Sequence, residues 1–168
     1  REVHDFQQSL FWPVLQTMIT GICVNNDAKS SLSEDLRLAI QSRELWLREI
    51  LGFDLNIKSP KQMQDVFYRL FAQKTVISRK TGNPTTDDAA LERISNREPL
   101  LKPVCDLIRD LRSLNVFRST FLEAPVDFDQ RMRCSFNIAG TETYRFSSSE
   151  NAFGSGMNLQ NIPKGDAE

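Results

Sequence analysis

The feature that most constrains this chain is a change of hydrophobic period near Pro125. Over residues 100–122, Val104, Leu107, Ile108, Leu111, Leu114, Phe117 and Phe121 fall at the spacing of one buried helical stripe. Lys102, Arg109, Arg112 and Arg118 occupy the opposite side. Beyond Pro125, RMRCSFNI sets Met132, Cys134, Phe136 and Ile138 against Arg131, Arg133, Ser135 and Asn137, the alternation of a half-buried strand. Ala139-Gly140 permits a turn. In TETYRFS, Thr141, Thr143, Arg145 and Ser147 then alternate with Glu142, Tyr144 and Phe146, which predicts the partner strand over 141–147. The expected class is therefore α+β, mainly helical through residue 125 and then entering the first antiparallel strands of a sheet.

The helical part has its own punctuation. Phe6, Leu10, Val14 and Met18 predict a first helix that Pro13 kinks and Gly21 ends. Ser31 and Glu34 read as a capping box opening a second helix, with Gly52 closing it. Its apolar stripe is Leu36, Ala39, Ile40, Leu47, Ile50 and Leu51. This helix and the 100–122 helix are expected to pack antiparallel, burying Leu47, Ile50, Val104, Ile108 and Leu111. Ser59, Pro60 and Gln62 form a second capping box, followed by an apolar face of Met63, Val66, Phe67 and Leu70. Thr86 is placed to cap DDAALERI, with Asp87 and Asp88 in its first turn.

Charge is informative only locally. Lys and Arg number 21 against 22 Asp and Glu, so the net charge of -1 excludes a histone-like polybasic chain. Yet residues 57–82 carry Lys58, Lys61, Arg69, Lys74, Arg79 and Lys80 against one acid, Asp65. Such a run is either a solvated face or a phosphate-facing patch, the second reading helped by the N–H groups at the start of the Ser59 helix. Three widely spaced cysteines and a single histidine argue against a disulfide framework or a zinc site, and for a reducing, intracellular compartment. No apolar run approaches the roughly 18–20 residues that span a bilayer. A first residue that is not Met, and an end in the turn-like NIPKGDAE, make the chain read as a segment of something longer.

Little else carries chemistry. There is no Ser/His/Asp set, no G-x-G-x-x-G and no P-loop. The informative block is residues 141–166, dense in Thr, Arg, Ser, Asn and Gln just after a strand. These side chains suit sugar, phosphate and base-edge contacts. On composition alone, the reading that wins is a polar loop with Asx turns.

In that block, TETYRFSS followed by NLQNIP resembles the T-x-T-G-R-L-S-S and P-N-L-Q-N-I-P segments of family A DNA polymerases. The likeness continues upstream and collinearly. FWPVLQTMITGICVN is similar to the family's helix and Gly-Ile/Val-x-Val-Asp turn, with Asn25 in place of Asp. DLNIKSPKQ resembles the thumb tip, NPTTDDAALERI the segment that follows, and 99–123 the long thumb helix. Tyr144 and Phe146 depart from the usual Gly and Leu. Residues 149–157 make a longer spacer than in bacterial enzymes, closer to phage-type ones.

The resemblance implies a connector over 1–28, a helical thumb over 29–125 and the start of the palm over 126–168. It implies a template-directed polymerase whose partners are primer-template DNA and deoxynucleoside triphosphates. Its two Mg²⁺ ions and the catalytic carboxylates would lie beyond this segment, which itself should be inactive. Arg145 corresponds to the arginine that reaches the minor groove at the primer end. Asn158, Gln160 and Asn161 would line the duplex, and Thr141, Thr143, Ser147 and Ser148 would hold sugar-phosphate or one another. Asn56, Ser59, Lys61 and Gln62 at one tip, with Lys80, Thr85 and Thr86 at the other, would grip phosphates. The short tip at 57–60 predicts no processivity-factor insertion there. Two other classes stay open: a non-catalytic helical DNA-binding module, and a structural interaction domain without salt-dependent DNA affinity. An Asp-Tyr/Phe-Ser-x-x-Glu motif following closely in the reading frame would select the polymerase.

Overall fold

The computed structural model describes residues 2–143, 145–151 and 156–162. Tyr144, the middle of the 149–157 spacer and the residues closing the polar block lie outside them. The class is α+β, mainly helical with two small antiparallel strand pairs among the described residues. The chain divides into two compact units, residues 34–117 and residues 1–33 with 118–168.

Helix α1 (Glu2–Thr20) holds Pro13 internally and ends just before Gly21. Helix α2 (Asn26–Leu51) begins five residues before the expected capping box. Asn25 Oδ1 accepts the Ala28 N–H at 3.0 Å. An Asn caps as well as a Ser, so the earlier residue sets the start. Ser31 and Glu34 are interior, and Glu34 pairs with Arg37 at 2.7 Å instead. Gly52, at φ 76°, ends the helix in the left-handed conformation that favours glycine.

The unit 34–117 is built on an apolar core. Ile40 and Leu47 of α2 meet Met63 of α3 (Pro60–Gln64) and Phe67 of the π-helical turn Asp65–Leu70. Leu91 and Ile94 come from α4 (Asp88–Arg97), and Val104, Cys105, Leu107, Ile108 and Leu111 from α5 (Lys102–Phe117). Two expectations fail here. Ile50 is 43% exposed, because the buried line of α2 is the narrower 40–47–51 stripe. Leu70 is 60% exposed, because a π turn carries more residues than an α turn and rotates Leu70 off the face. Phe71 takes its place, edge-on to Phe67 with ring centroids 5.7 Å apart. The 100–122 helix is composite: a 3₁₀ turn (Pro99–Leu101), α5, and a π turn (Arg118–Leu122).

In the other unit, β1 (Ile22–Cys23) pairs antiparallel with β2 (Arg131–Met132), Ile22 opposite Met132. β3 (Ser135–Asn137) pairs with β4 (Ser147–Ser149), Ser135 opposite Ser149. The predicted single strand is thus two short ones with different partners, although Met132 and Cys134 are buried as the alternation required. The partner strand starts at Ser147 and not at Thr141. The Thr141 hydroxyl donates to the Arg145 carbonyl at 2.8 Å and accepts the Arg145 N–H at 2.9 Å, so both backbone groups of Arg145 bond to Thr141. The apolar cluster is small: Ala124, Met132 and Met157, with Val24, Phe121, Val126 and Leu159 against it.

Cations reinforce this unit. Arg133 donates to the Ile19 carbonyl (2.7 Å), to Asp127 (2.6 Å) and to both oxygens of Asp129 (2.9 and 2.6 Å). Hydrogen bonds from Arg133 hold the Asp129 carboxyl below its usual range. Arg131 donates to the Thr20 carbonyl at 3.0 Å, and Lys29 to the Ala124 carbonyl. Gly156, at φ 79°, lies so close that a Cβ there would fall 1.8 Å from the Arg133 carbonyl oxygen. Among the described residues no helix is long and apolar enough to cross a membrane.

Candidate nucleic-acid interface

In the unit 34–117, residues 56–62 form a self-satisfied tip. Ser59 Oγ accepts the Gln62 N–H at 3.4 Å and Pro60 opens α3, as the sequence predicts. The reciprocal bond differs: Gln62 Oε1 accepts from Asn56 N–H at 2.9 Å, and Asn56 Oδ1 accepts from Lys58 N–H at 3.0 Å. Both amide oxygens are thereby occupied, so Asn56 and Gln62 present amino groups, the polarity an anion needs. Lys58 and Lys61 are exposed on the same tip.

The second tip is the turn around residues 78–86. Ser78 N–H bonds to the Asn83 carbonyl and Ile77 bridges to Pro84. Lys80 is exposed and Thr85 half-buried. Thr86 is only 6% exposed, and it is not the helix cap. Asp87 caps α4, its carboxylate accepting the Ala90 N–H at 2.9 Å, because the chain turns helical one residue later than expected. A groove of about 640 Å³ opens between Lys58, Pro60 and Gln64 on one side and residues 84–88 on the other, with Arg112 in its wall. Of the six cations over 57–82, only Arg69 has an ion pair among the described residues, to Asp65 at 3.2 Å. The i, i+4 spacing of Gln64 and Tyr68 is visible in the sequence, but nothing there links them, or Arg112 of the basic face, to the second tip.

In the other unit the polar block makes an internal network. Ser148 Oγ bonds Asn158 Oδ1, which also caps a 3₁₀ turn (Leu159–Asn161) by accepting the Gln160 N–H at 3.0 Å. Gln160 Nε2 donates to the Phe146 carbonyl at 3.0 Å. Phe146 faces Phe136 across the hairpin, with centroids 6.4 Å apart. Thr141, Ser148, Asn158 and Gln160 therefore brace the backbone on which Arg145 stands, while Arg145, Thr143 and Asn161 are exposed and Ser147 is half-buried in β4.

No cluster of three or more His, Cys, Asp or Glu able to hold a metal occurs among the described residues. Some acids are paired with cations, Asp127 and Asp129 with Arg133, and Asp106 with Lys102 at 2.6 Å. Cys105 is buried and its thiol is pushed up to about 11 by desolvation, the reverse of a nucleophile's environment.

The family model for DNA polymerase family A matches residues 26–168. DNA polymerase I of Bacillus subtilis is 30% identical over 148 residues, covering 86% of this chain and 16% of that protein. DNA polymerase I of Treponema pallidum is 32% identical over 155 residues, covering 90% of this chain and 14% of that one. Among solved structures, the POL domain of Pol1 from M. smegmatis, in complex with DNA primer-template and dNTP, superposes with a TM-score of 0.71 at 29% identity. That match covers 92% of this chain and 27% of the other. The chain spans about a sixth of the length of the curated relatives it matches.

Proposed function

Since the chain belongs to DNA polymerase family A, we propose that it is the part of a DNA-directed DNA polymerase that grips primer-template duplex and aligns the primer 3′ end for nucleotidyl transfer. In this reading residues 1–28 are a connector, 29–125 the thumb and 126–168 the start of the palm. The observation that carries the reading is the pair of tips: five exposed cations over 57–82 without an ion pair among the described residues, beside Asn56 and Gln62 with free amino donors. Phosphates are the partner that this set of donors fits, and contacts to them are blind to sequence.

Asn56, Ser59, Lys61, Gln62, Lys80 and Thr85 then hold the duplex backbone, and Thr86 supports them from a buried position. Arg145 reaches the minor-groove acceptor that every base pair presents, so it senses pair geometry without reading sequence. Thr143, Ser147 and Asn161 line the duplex near it, while Thr141, Ser148, Asn158 and Gln160 fix its backbone before DNA arrives. That bracing favours alignment because the ordering cost is met in the free protein.

The family implies divalent metal ions, two Mg²⁺ in this reading. The described residues do not fit them, since they hold no cluster of three or more His, Cys, Asp or Glu able to bind a metal. The ligands belong to carboxylates elsewhere in the full-length protein. The free cysteines, two of them buried, support a reducing, intracellular setting.

Duplex binding across a salt series tests the grip. In the full-length protein, Lys61→Ala and Lys80→Ala should each flatten the log K against log salt slope by roughly 0.9 for every phosphate no longer neutralised. Unchanged slopes would return the basic stretch to an ordinary solvated face. Arg145→Ala tests alignment. It should slow extension of matched primer ends roughly 10- to 200-fold, and mismatched ends less. Equal losses on both would make Arg145 a general phosphate contact.

A further inference from the structure

Three consecutive backbone carbonyls in the second tip each accept a hydrogen bond from a different side chain. Gln64 Nε2 donates to Pro84 O at 2.9 Å, Tyr68 OH to Thr85 O, and Arg112 Nη1 to Thr86 O at 2.7 Å. Gln64 and Tyr68 stand four residues apart where α3 passes into the π turn, whereas Arg112 comes from α5. Arg112 also reaches the first tip, Nη2 donating to Ile57 O at 3.4 Å, and Asp88 lies 3.5 Å from Nη1. Its side chain is 24% exposed, in the wall of the groove between the tips.

A loop carrying three threonines, one proline and one glycine has many conformations, and its carbonyls repel the phosphate that its N–H groups attract. Saturating all three carbonyls from the protein side removes both problems. The guanidinium does more, because its planar fork can bond two carbonyls from segments 55 and 26 residues away at once. A lysine at 112 keeps the charge but satisfies only one carbonyl in that geometry.

We propose that Gln64, Tyr68 and Arg112 are positioning residues that preset the spacing of the two phosphate-gripping tips, with Arg112 as the link between them. The proposal rests on the duplex-grip reading above, and the experiment separates the two. In the full-length protein, duplex affinity is measured across a salt series for Arg112→Lys, Tyr68→Phe, Lys61→Ala and Lys80→Ala, beside thermal midpoints. Arg112→Lys should weaken binding about 10-fold and lower the salt slope by more than a single phosphate's share, although it removes no charge. Combined with Lys80→Ala, it should cost less than the sum of the two, because Lys80 is already displaced from its phosphate. Tyr68→Phe, which removes one hydroxyl, should weaken binding about 3-fold and keeps the test decisive should Arg112→Lys fail to fold. A lower midpoint with unchanged affinity and slope in both positioning variants would overturn the proposal and leave these bonds purely structural. Unchanged slopes in the two lysine variants would sink the grip itself, and the proposal with it.

Discussion

The two units of this chain hold themselves together by different means. Among the described residues, the apolar cluster of residues 34–117 holds twelve buried side chains, and that of residues 1–33 with 118–168 holds three. The second unit compensates with long cations bonded to backbone carbonyls and acids: Arg133 to Ile19, Asp127 and Asp129, Arg131 to Thr20, and Lys29 to Ala124. Buried alkyl and aromatic side chains have no charge to titrate or screen, whereas ion pairs and charge-assisted bonds respond to both pH and salt. The unit whose polar block braces Arg145 thus uses the same kind of bond for its fold as for its proposed site. The unit that carries the gripping tips rests on its apolar core, with five exposed cations on the tips and Arg112 bonding the Thr86 and Ile57 carbonyls between them.

The two tryptophans divide the same way, Trp12 in one unit and Trp46 in the other, so single-Trp variants report each unit separately. The largest effect should come from Leu111→Ala, which empties a fully buried position. Its cost is about 2 to 5 kcal/mol in a urea melt read by Trp46. A loss under about half a kcal/mol would mean that the apolar cluster does not carry this unit.

Next comes an alkaline effect in the same unit. The Cys105 thiol is raised to about 11 from 9.0. Below pH 9 it is neutral folded or unfolded; between pH 9 and 11 only the unfolded chain ionises, so stability falls with rising pH. The loss is on the order of 2 to 3 kcal/mol, and it should vanish in Cys105→Ala. Identical pH profiles for the two proteins would deny that the thiol is truly desolvated.

Smaller, and in the other unit, is the α2 cap. Asn25→Ala should cost about 1 kcal/mol, while Ser31→Ala stays within about half of that. The reverse order would restore the capping box as the true start. The smallest effect is acidic. Asp129 sits below its ordinary carboxylate range, so its pairing with Arg133 is intact above about pH 4 and is lost as pH falls through the lowered value. On acidification the Trp12 signal should therefore change before the Trp46 signal. Coincident transitions would erase the distinction between the units.

What the sequence made legible follows the same division. In the apolar unit, one-dimensional rules sufficed for most of the architecture, since a stripe such as 104–107–108–111 has one solution. Ser59 and Pro60 announced α3, and Gly52 announced the end of α2. The rules failed where the helix itself changed period, at the π turn that exposes Leu70. In the other unit the alternation correctly buried Met132 and Cys134. Pairing and register were invisible, because side chains acting on distant backbone decide them. No local signal shows that the Thr141 hydroxyl closes onto Arg145, or that Gln160 serves the Phe146 carbonyl. The candidate site was legible as a set of residues. The division into braces and exposed groups was not, since it depends on where the oxygens of Asn56, Gln62 and Asn158 are spent.

The close approach of Gly156 to Arg133 sets a rule for anyone who would exchange the 149–157 spacer between relatives. A graft that stops short of residue 156 keeps the native glycine and leaves the Arg133 carbonyl undisturbed. A donor cassette that brings its own side chain to position 156 drives a carbon into that carbonyl, whatever its length and composition upstream. In a library of chimaeras, the splice point should therefore fall before Gly156, and survivors with any other residue there should be accompanied by a second change near Arg133.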